Sequence, residues 1–337
     1  MPIAIDAMGG DYYPRHPVSS AVTAVNQHDV DIILVGDEKR IKSELDRHRF
    51  DAGRIDIVNA SEVVEMSDSV VTALRKKRSS SMRICFDLVK NGDADGVVSA
   101  GHSGAMLAIG HFVLKTLDGI DRPCISALLP SKKETVLLLD AGANIDCSPE
   151  NLFQFAVLGS IYMETIHSVH RPRVGLLNIG QEEGKGDERA RAAYQLLKRS
   201  GLNFAGNIEG KAFFQGDIDV VVADGFAGNV LLKSVQGAAD FVKQLINDEL
   251  ERSLFTRLGA LLMRGSLNRF RKGTDYAEFG GAPLLGLRGN AIICHGSSNP
   301  EALTYGIRFS HWAHRCNLVE KLEEQVLSQQ ALLKQIA

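Results

Sequence analysis

Short apolar runs that end in glycine or aspartate recur along this chain and alternate with segments of helix length. Residues 219–224, for example, read DVVVAD and lead through a Gly-bearing turn into a long apolar segment. Apolar runs without alternating polar positions are typical of strands that are buried on both faces of a sheet. Their alternation with helices predicts an α/β protein, a three-layer α/β/α sandwich with a large mixed, mostly parallel sheet.

The predicted elements extend along most of the chain. Strands are expected at residues 3–6, 31–36, 55–59, 96–99, 125–129, 136–140, 174–178, 219–224 and 291–294. Helices are expected at residues 17–26, 37–49, 69–78, 83–91, 149–167, 188–200 and 230–250. Because no Gly-, Ser- or Pro-rich linker interrupts this pattern, residues 1–337 are expected to form a single α/β/α domain, and two intertwined halves within it are the alternative to one undivided unit.

Composition limits the classes of partner and compartment. The formal net charge is −3, so no broad basic surface points to nucleic acid. The five cysteines are scattered without C-x-x-C spacing, which favours a reducing, cytoplasmic location over a disulfide framework. The start of the chain shows no signal peptide, and the longest uncharged window, residues 96–114, is interrupted by glycines and does not predict a membrane span.

Glycine-bearing turns follow several of the predicted strands. They are DAMGGD at 6–11, SAGHSGA at 99–105, NIGQEEGKG at 178–186, DGFAGN at 224–229 and HGSS at 295–298. Backbone N–H groups at the carboxyl ends of strands bind anions, and such turns can converge on one crevice of an α/β sheet. The sequence therefore predicts an anion-binding site.

Common nucleotide, hydrolase and metal signatures are absent. There is no G-x-G-x-x-G, the Gly180–Lys185 spacing is one residue short of a P-loop, and no G-x-S-x-G is found. The start of a calcium loop at residues 93–96 lacks its last carboxylate, and the pairs His167/His170 and His311/His314 lack further ligands. We therefore interpret these histidines as surface residues and expect neither a metal nor a cofactor.

A few side chains in or near the turns could act on an anion or an oxyanion. Lys185 lies in a Gly-flanked loop from which an ammonium could reach a phosphate, although a plain surface lysine is the alternative. Asn178, Asn229 and His295 could donate to an oxyanion, or could simply cap a strand or helix. Lys233 is one turn into the predicted helix and alone would indicate a solvated charge.

Two segments predict interaction surfaces. The basic block Arg75, Lys76, Lys77 and Arg78 could steer an acidic protein partner, although a solvated face is the common alternative. Residues 249–272 form an amphipathic segment in which leucines alternate with arginines, and an amphipathic helical tip is expected at about 245–275. Leu258, Leu261 and Leu262 are its expected contacts with an anionic membrane surface, and an ordinary packed helix is the alternative.

The ordered set of motifs resembles one known family. The motifs are MGGD (8–11), SSMR (80–83), SAGHSGA (99–105), LLDAGAN (138–144), LLNIGQEEGKG (176–186), DGFAGNVLLK (224–233), GGAPLLGL (280–287) and HGSS (295–298). Over residues 2–310 they resemble the acyl-carrier-protein:phosphate acyltransferases of bacterial phospholipid synthesis. The family commonly has SAGNTGA where this chain has His102 and Ser103, so the side-chain role of an Asn at 102 does not carry over.

The resemblance implies a fold like that of phosphate acetyltransferases and isocitrate/isopropylmalate dehydrogenases. It implies a homodimer without cofactor, located in the cytoplasm and peripherally associated with the inner face of the cytoplasmic membrane. The implied reaction moves a fatty acyl group from acyl carrier protein to inorganic phosphate, giving acyl phosphate for phospholipid synthesis. The downstream glycerol-phosphate acyltransferase is a further candidate partner. Alternatives are a carrier-binding scaffold without catalysis and a metal- and NAD-dependent hydroxyacid dehydrogenase.

This chemistry assigns roles to the turns. Phosphate is expected on the amides of Gly101–Gly104 and Gly225–Asn229 with Lys185 as clamp, while Asn178, Asn229 or His295 stabilise the oxyanion. Glu182 and Asp224 are expected to orient the loops. The other expected substrate-binding residues are Gly9, Gly10, Asp11, Ser99, Gly101, His102, Ser103, Gly104, Gly225, Phe226, Gly228, Lys233 and Gly296.

Overall fold

A computed structural model describes residues 1–133, 135–267 and 281–336, and within them the strands form one continuous sheet. The strands are β1 (Ile3–Asp6), β2 (Ile32–Gly36), β3 (Ile55–Asn59), β4 (Gly96–Ser99), β5 (Cys124–Pro130), β6 (Thr135–Leu139), β7 (Arg173–Leu177), β8 (Asn203–Ile208), β9 (Val220–Val222), β10 (Ala282–Leu285) and β11 (Asn290–Ile293). Their order in this 11-stranded sheet is β3-β2-β1-β4-β11-β10-β5-β6-β9-β7-β8.

The sheet consists of two parallel halves that run in opposite directions. Strands β3, β2, β1, β4 and β11 are mutually parallel, and so are β6, β9, β7 and β8. Between them, β10 is antiparallel to both of its neighbours and β5 is antiparallel to β6. The carboxyl ends of the two halves therefore lie at opposite edges of the sheet.

Helices cover both faces of this sheet. They are α1 (Arg15–His28), α2 (Glu38–Leu45), α3 (Val70–Arg75), α4 (Ser81–Asn91), α5 (Ser103–Leu114), α6 (Pro149–His167), α7 (Glu188–Arg199), α8 (Gly225–Glu251), α9 (Leu254–Leu262), α10 (Pro300–Arg315) and α11 (Leu318–Ile336). Separate apolar clusters fill the two faces of each half: α1 and α10 share one, α4 and α5 a second, α6 a third and α8 a fourth. This arrangement confirms the predicted mixed, mostly parallel α/β/α architecture.

All nine predicted strands are found within two residues of their predicted bounds, and the two strands that were not predicted, β8 and β10, have local causes. Strand β8 contains Asn203 and Gly206, and β10 contains Pro283, so neither gives an uninterrupted apolar run. Helix α5 lies inside residues 96–114, the uncharged window in which neither a membrane span nor a helix was predicted. Helix α8 begins at Gly225 rather than 230, because the Asp224 side chain accepts the Ala227 N–H and starts the helix early.

The expected helical tip is only partly within the described residues. The end of α8 and the whole of α9 fall in it, whereas residues 268–275 lie outside the described part of the chain. No helix among the described residues combines the length and the apolar character needed to cross a bilayer.

Candidate active site

The turns after β1, β4 and β11 lie side by side because these strands are parallel neighbours in the order β1-β4-β11. We call residues 8–11, 99–104 and 295–298 the first loop cluster. The Asp11 N–H donates to the Gly296 carbonyl over 2.8 Å. A Cβ at Gly9 would lie 2.9 Å from the Gly101 nitrogen and 2.9 Å from Ser99 Oγ, so only glycine allows the loops this close an approach.

The buried carboxylate of Asp6, the last residue of β1, holds the loops together. Its oxygens accept hydrogen bonds from Ser81 Oγ at 2.6 Å, Ser99 Oγ at 2.7 Å and the Met8 N–H at 3.2 Å. Burial raises the pKa of Asp6, and these three donors oppose the shift. Ser99 was a predicted site residue, whereas no site role was predicted for Asp6 or Ser81, although Asp6 begins the first glycine-bearing turn and Ser81 belongs to the SSMR motif.

The first loop cluster presents unused backbone donors at the start of α5. The Gly101 N–H donates to Ser99 Oγ, and the Ala105 N–H donates to His102 Nδ1 over 3.2 Å. The intervening N–H groups of Ser103 and Gly104 have no acceptor within the described residues, and Ser103 is exposed. Helix α5 is 12 residues long, and free N–H groups at the start of such a helix are suited to binding an anion.

The histidines of this cluster have defined hydrogen-bonding roles. Because His102 Nδ1 accepts a backbone N–H, the neutral ring carries its proton on Nε2 and can donate outward. His295 Nδ1 lies 2.7 Å from Ser297 Oγ and accepts the Ser297 N–H at 3.2 Å, so His295 organises the HGSS turn. His16, which sequence analysis missed, holds the same turn through a 3.0 Å contact between Nδ1 and the Ser298 carbonyl.

The remaining turns form a second loop cluster, residues 140–144, 178–186 and 224–229, after β6, β7 and β9. The Asp224 carboxylate accepts the Ala227 N–H at 2.8 Å and Arg189 Nη2 at 2.8 Å, which fits its expected role as an orienting group. The Gly225 N–H donates to the Asn144 carbonyl, and the Gly228 N–H donates to the Asp224 carbonyl. Most of the amides expected to bind phosphate here are therefore used within the protein.

Other predicted residues of the second loop cluster also have structural partners. Asn178 Nδ2 donates to the Lys185 carbonyl and to Asn207 Oδ1, each over 3.1 Å, so Asn178 shapes the loop. Lys185 is exposed, and its ammonium has no acidic partner in the described parts of the chain. No ion pair joins Glu182 to Lys185 among those residues. Asn229 lies beside Gly142.

Lys233, also predicted as substrate-binding, is exposed, and its Nζ donates to Gln236 Oε1 one turn along α8.

The buried Asp140 repeats the arrangement of Asp6. Its carboxylate accepts the backbone N–H groups of Ile125, Gly142 and Ala143, and both the backbone and the side-chain N–H of Asn144. Burial raises the pKa of Asp140 as well.

The five turns therefore make two groups within a chain instead of one crevice. The first loop cluster lies at the carboxyl edge of one sheet half and the second at the opposite edge. Between these clusters we find no hydrogen bond or ion pair when residues 1–133, 135–267 and 281–336 are considered. The physical reason is the reversal of strand direction across β10 and β5.

The basic block lies next to the first loop cluster, but only part of it faces solvent. Arg75, Lys76 and Arg78 are exposed. Lys77 instead donates to Asp68 Oδ2 and to the Val63 carbonyl, each over 2.6 Å. The block begins at Arg75, the last residue of α3, and Val70 at the start of this helix would lie 3.3 Å from a Cβ at Gly104.

Four of the five cysteines are buried and are unsuited to act as nucleophiles. Burial raises the pKa of the Cys294 thiol, which ends the β11 run, to about 12, and that of Cys147 to about 11. Burial raises the pKa values of Cys85 and Cys124 well above the ordinary range too. These thiols therefore stay protonated near neutral pH. Within the described residues no group of three or more His, Cys, Asp or Glu side chains could hold a metal ion.

Comparisons with known proteins agree over nearly the whole chain. The family model described as "Fatty acid synthesis protein" matches residues 1–321. A phosphate acyltransferase of Trichlorobacter lovleyi is 45% identical over 326 residues, covering 97% of this chain and 94% of that protein. A phosphate acyltransferase of Geotalea daltonii is 46% identical over 328 residues, covering 96% and 95%.

Solved structures show the same fold at much lower identity. A phosphotransacetylase from Streptococcus pyogenes has a TM-score of 0.62 and 19% identity, covering 95% of this chain and 94% of that one. The EutD phosphotransacetylase from Staphylococcus aureus has a TM-score of 0.61 and 18% identity, with 94% of both chains covered. A 4-hydroxythreonine-4-phosphate dehydrogenase from Klebsiella pneumoniae follows at a TM-score of 0.55 and 13% identity, covering 93% and 99%.

Proposed function

The chain belongs to the phosphate acyltransferase family, and from this premise we propose that it transfers a fatty acyl group from acyl carrier protein to inorganic phosphate. The observation that carries the proposal is the pair of unused N–H groups at Ser103 and Gly104, at the exposed start of α5. A phosphate there is bound by backbone donors and by the helix dipole. Gly10 and Gly296 border the same loops.

The reaction needs positioning more than acid or base catalysis. A phosphate oxygen attacks the thioester carbonyl carbon, the carbonyl π electrons move onto oxygen, and the C–S bond then breaks as the carbonyl re-forms. The thiolate takes the proton that phosphate gives up, so the products are acyl phosphate and the free thiol of the carrier. We assign oxyanion stabilisation to the Nε2–H of His102, which caps α5, and to the free ring nitrogen of His295 in the same loop cluster. Asn178, Lys185 and Asn229 lie at the opposite edge and have no part in this scheme.

Phosphate-dependent consumption of the thioester tests the function. The protein is incubated with palmitoyl acyl carrier protein and phosphate, and acyl phosphate is trapped with hydroxylamine. We expect acyl hydroxamate to form only when phosphate is present and not when sulfate replaces it. Carrier binding without thioester loss would instead identify a scaffold and refute the transferase assignment.

Acyl carrier protein is proposed to dock on the exposed part of the basic block. Arg75, Lys76 and Arg78 carry three positive charges into solvent beside the first loop cluster. An acidic carrier approaching there would bring its acyl thioester to the start of α5. Lys77 holds Asp68 and is not part of the docking surface.

Reversing the three exposed charges tests this surface. Arg75→Glu/Lys76→Glu/Arg78→Glu is expected to raise the KM for acyl carrier protein about tenfold at low salt, with less effect at high salt. The KM for phosphate should not change. Lys39→Glu/Lys42→Glu/Arg47→Glu, at and just after α2, is the matched control. An unchanged KM for the carrier would show that the carrier does not dock on this surface.

A peripheral membrane contact is proposed for α9. Leu258, Leu261 and Leu262 on this helix are 59%, 63% and 83% exposed, which is unusual for leucine. Arg257 and Arg264 lie among them, as in helices that rest on anionic bilayers. This contact would hold a cytoplasmic enzyme at the inner face of the membrane, where a glycerol-phosphate acyltransferase could use its product.

Flotation with vesicles measures this contact. The wild-type protein is expected to float with vesicles rich in anionic lipid, and Leu258→Glu/Leu261→Glu should abolish flotation because it places two charges in the apolar face. Leu327→Glu, at an exposed leucine of α11, should leave flotation unchanged. Flotation of the double variant would mean that α9 does not provide the contact.

A homodimer through α8 is also proposed. Phe226, Val230, Phe241 and Leu245 lie on one side of this helix and are 65%, 51%, 61% and 49% exposed. A second copy that pairs its α8 with this face would cover all four side chains. Light scattering should give twice the mass of the chain, and Phe241→Glu should give monomers. A dimer that survives this substitution would place the interface elsewhere.

A further inference from the structure

A cavity of about 380 Å³ lies between the end of α1 and the outer side of α10. It is separate from the first loop cluster, because Val30 in its wall precedes β2, whereas the cluster follows the carboxyl ends of β1, β4 and β11. Its lining residues are His28, Val30, Tyr305, Arg308, Phe309, His311 and Trp312. The volume is near the lower end of small-molecule sites, which suits a single small ligand.

Aromatic rings make up much of the wall. The rings of Phe309 and Trp312 meet edge to face with centroids 6.1 Å apart, and Tyr305 and Trp312 remain 38% and 43% exposed. The Arg308 guanidinium lies over the Tyr305 ring, 5.3 Å from its centroid. Flat apolar surfaces of this kind hold planar rings by stacking.

Arg308 makes the cavity positively charged, and the lining contains no carboxylate that could balance this charge. Neither the cavity lining nor any other described residue provides an ion-pair partner for Arg308. Burial, and then Arg308, lowers the pKa of His28, and burial lowers that of His311, so both rings are neutral near pH 7. His311 Nδ1 is buried and without a hydrogen-bond partner in the described chain, which corrects the expectation of a plain surface histidine.

We propose that this cavity binds a nucleoside monophosphate, with the base among Tyr305, Phe309 and Trp312 and the phosphate on Arg308. The neutral rings of His28 and His311 provide hydrogen-bonding groups for a heteroaromatic base or a sugar. The position of the cavity, away from the start of α5, makes it a second site independent of the acyl transfer.

The chain offers a direct reporter for this site, because Trp312 is its single tryptophan. Titration of the wild-type protein with AMP is expected to change the tryptophan fluorescence saturably. Adenosine, which lacks the anion, and ribose 5-phosphate, which lacks the base, should each bind about tenfold more weakly or worse. Arg308→Gln should weaken AMP binding by a similar factor, while Arg199→Gln, on α7, should not.

Two outcomes would overturn the proposal: no saturable fluorescence change at millimolar AMP, or equal binding of AMP by the wild-type and Arg308→Gln proteins. Urea unfolding of each variant shows whether it folds. If Arg308→Gln is destabilised, His28→Gln takes its place, with weaker AMP binding again expected and unchanged binding again refuting the site. Because fluorescence is measured without carrier protein or phosphate, the result does not depend on the proposed transferase activity.

Discussion

Replacing Ser103 by proline is expected to lower kcat/KM for phosphate by about ten- to a hundredfold, because proline removes one backbone donor from the proposed phosphate site. A hydrogen bond to a charged group contributes about 1.5–3 kcal/mol, which corresponds to this range. Ser103 is the first residue of α5, the position where helices accept proline. The preceding His102 already has φ −63° and ψ 107°, the extended conformation that proline favours before it.

The fold should therefore survive this substitution, and stability and function can be separated. The free energy of unfolding of Ser103→Pro, measured in urea, is expected to stay within about 1 kcal/mol of the wild type. Ser103→Ala removes the hydroxyl but keeps the N–H, so its kinetics should resemble those of the wild type. A fully active Ser103→Pro protein would show that phosphate does not bind the start of α5.

The sequence predicts the parts of this molecule that depend on local pattern. The strand at residues 3–6 and the helix at 149–167 are found at their predicted bounds, because a buried apolar run and a Pro-started helix are local signals. The pattern alone predicts an α/β/α sandwich, and the family resemblance adds the expectation of a fold like that of phosphate acetyltransferases. Helix α5 was missed because its glycines and small residues weaken the helical periodicity.

The grouping of the turns could not be predicted in this way. It depends on the direction of β10, which pairs with β5 more than 150 residues earlier in the chain. Likewise, Asp6 meets Ser81 across 75 positions of sequence, and Lys77 differs from its three basic neighbours because Asp68 and the Val63 carbonyl lie within its reach. Contacts between distant segments decide these features, and a single sequence does not display them.

The largest loss of stability is expected for Gly228→Ala. A Cβ at this position would lie 1.9 Å from the Asp140 carbonyl oxygen and 3.0 Å from its carbonyl carbon. Both are backbone atoms, so no side-chain rotation can relieve the contact, and the start of α8 would have to move away from the end of β6. Overpacking of this kind costs about 1–3 kcal/mol and more when backbone must shift, so we expect a loss of at least about 3 kcal/mol.

The displacement should also disturb the second loop cluster, because the loop after β6 is fixed by the Asp140 carboxylate and by the Gly225–Asn144 hydrogen bond. Urea unfolding measures the loss. Gly259→Ala, on α9, is the control, since a Cβ there meets no atom within 4 Å and alanine favours a helix. Its unfolding free energy should equal or slightly exceed that of the wild type. If Gly228→Ala were as stable as Gly259→Ala, α8 could not start in contact with β6 as described, and the second loop cluster would need a different arrangement.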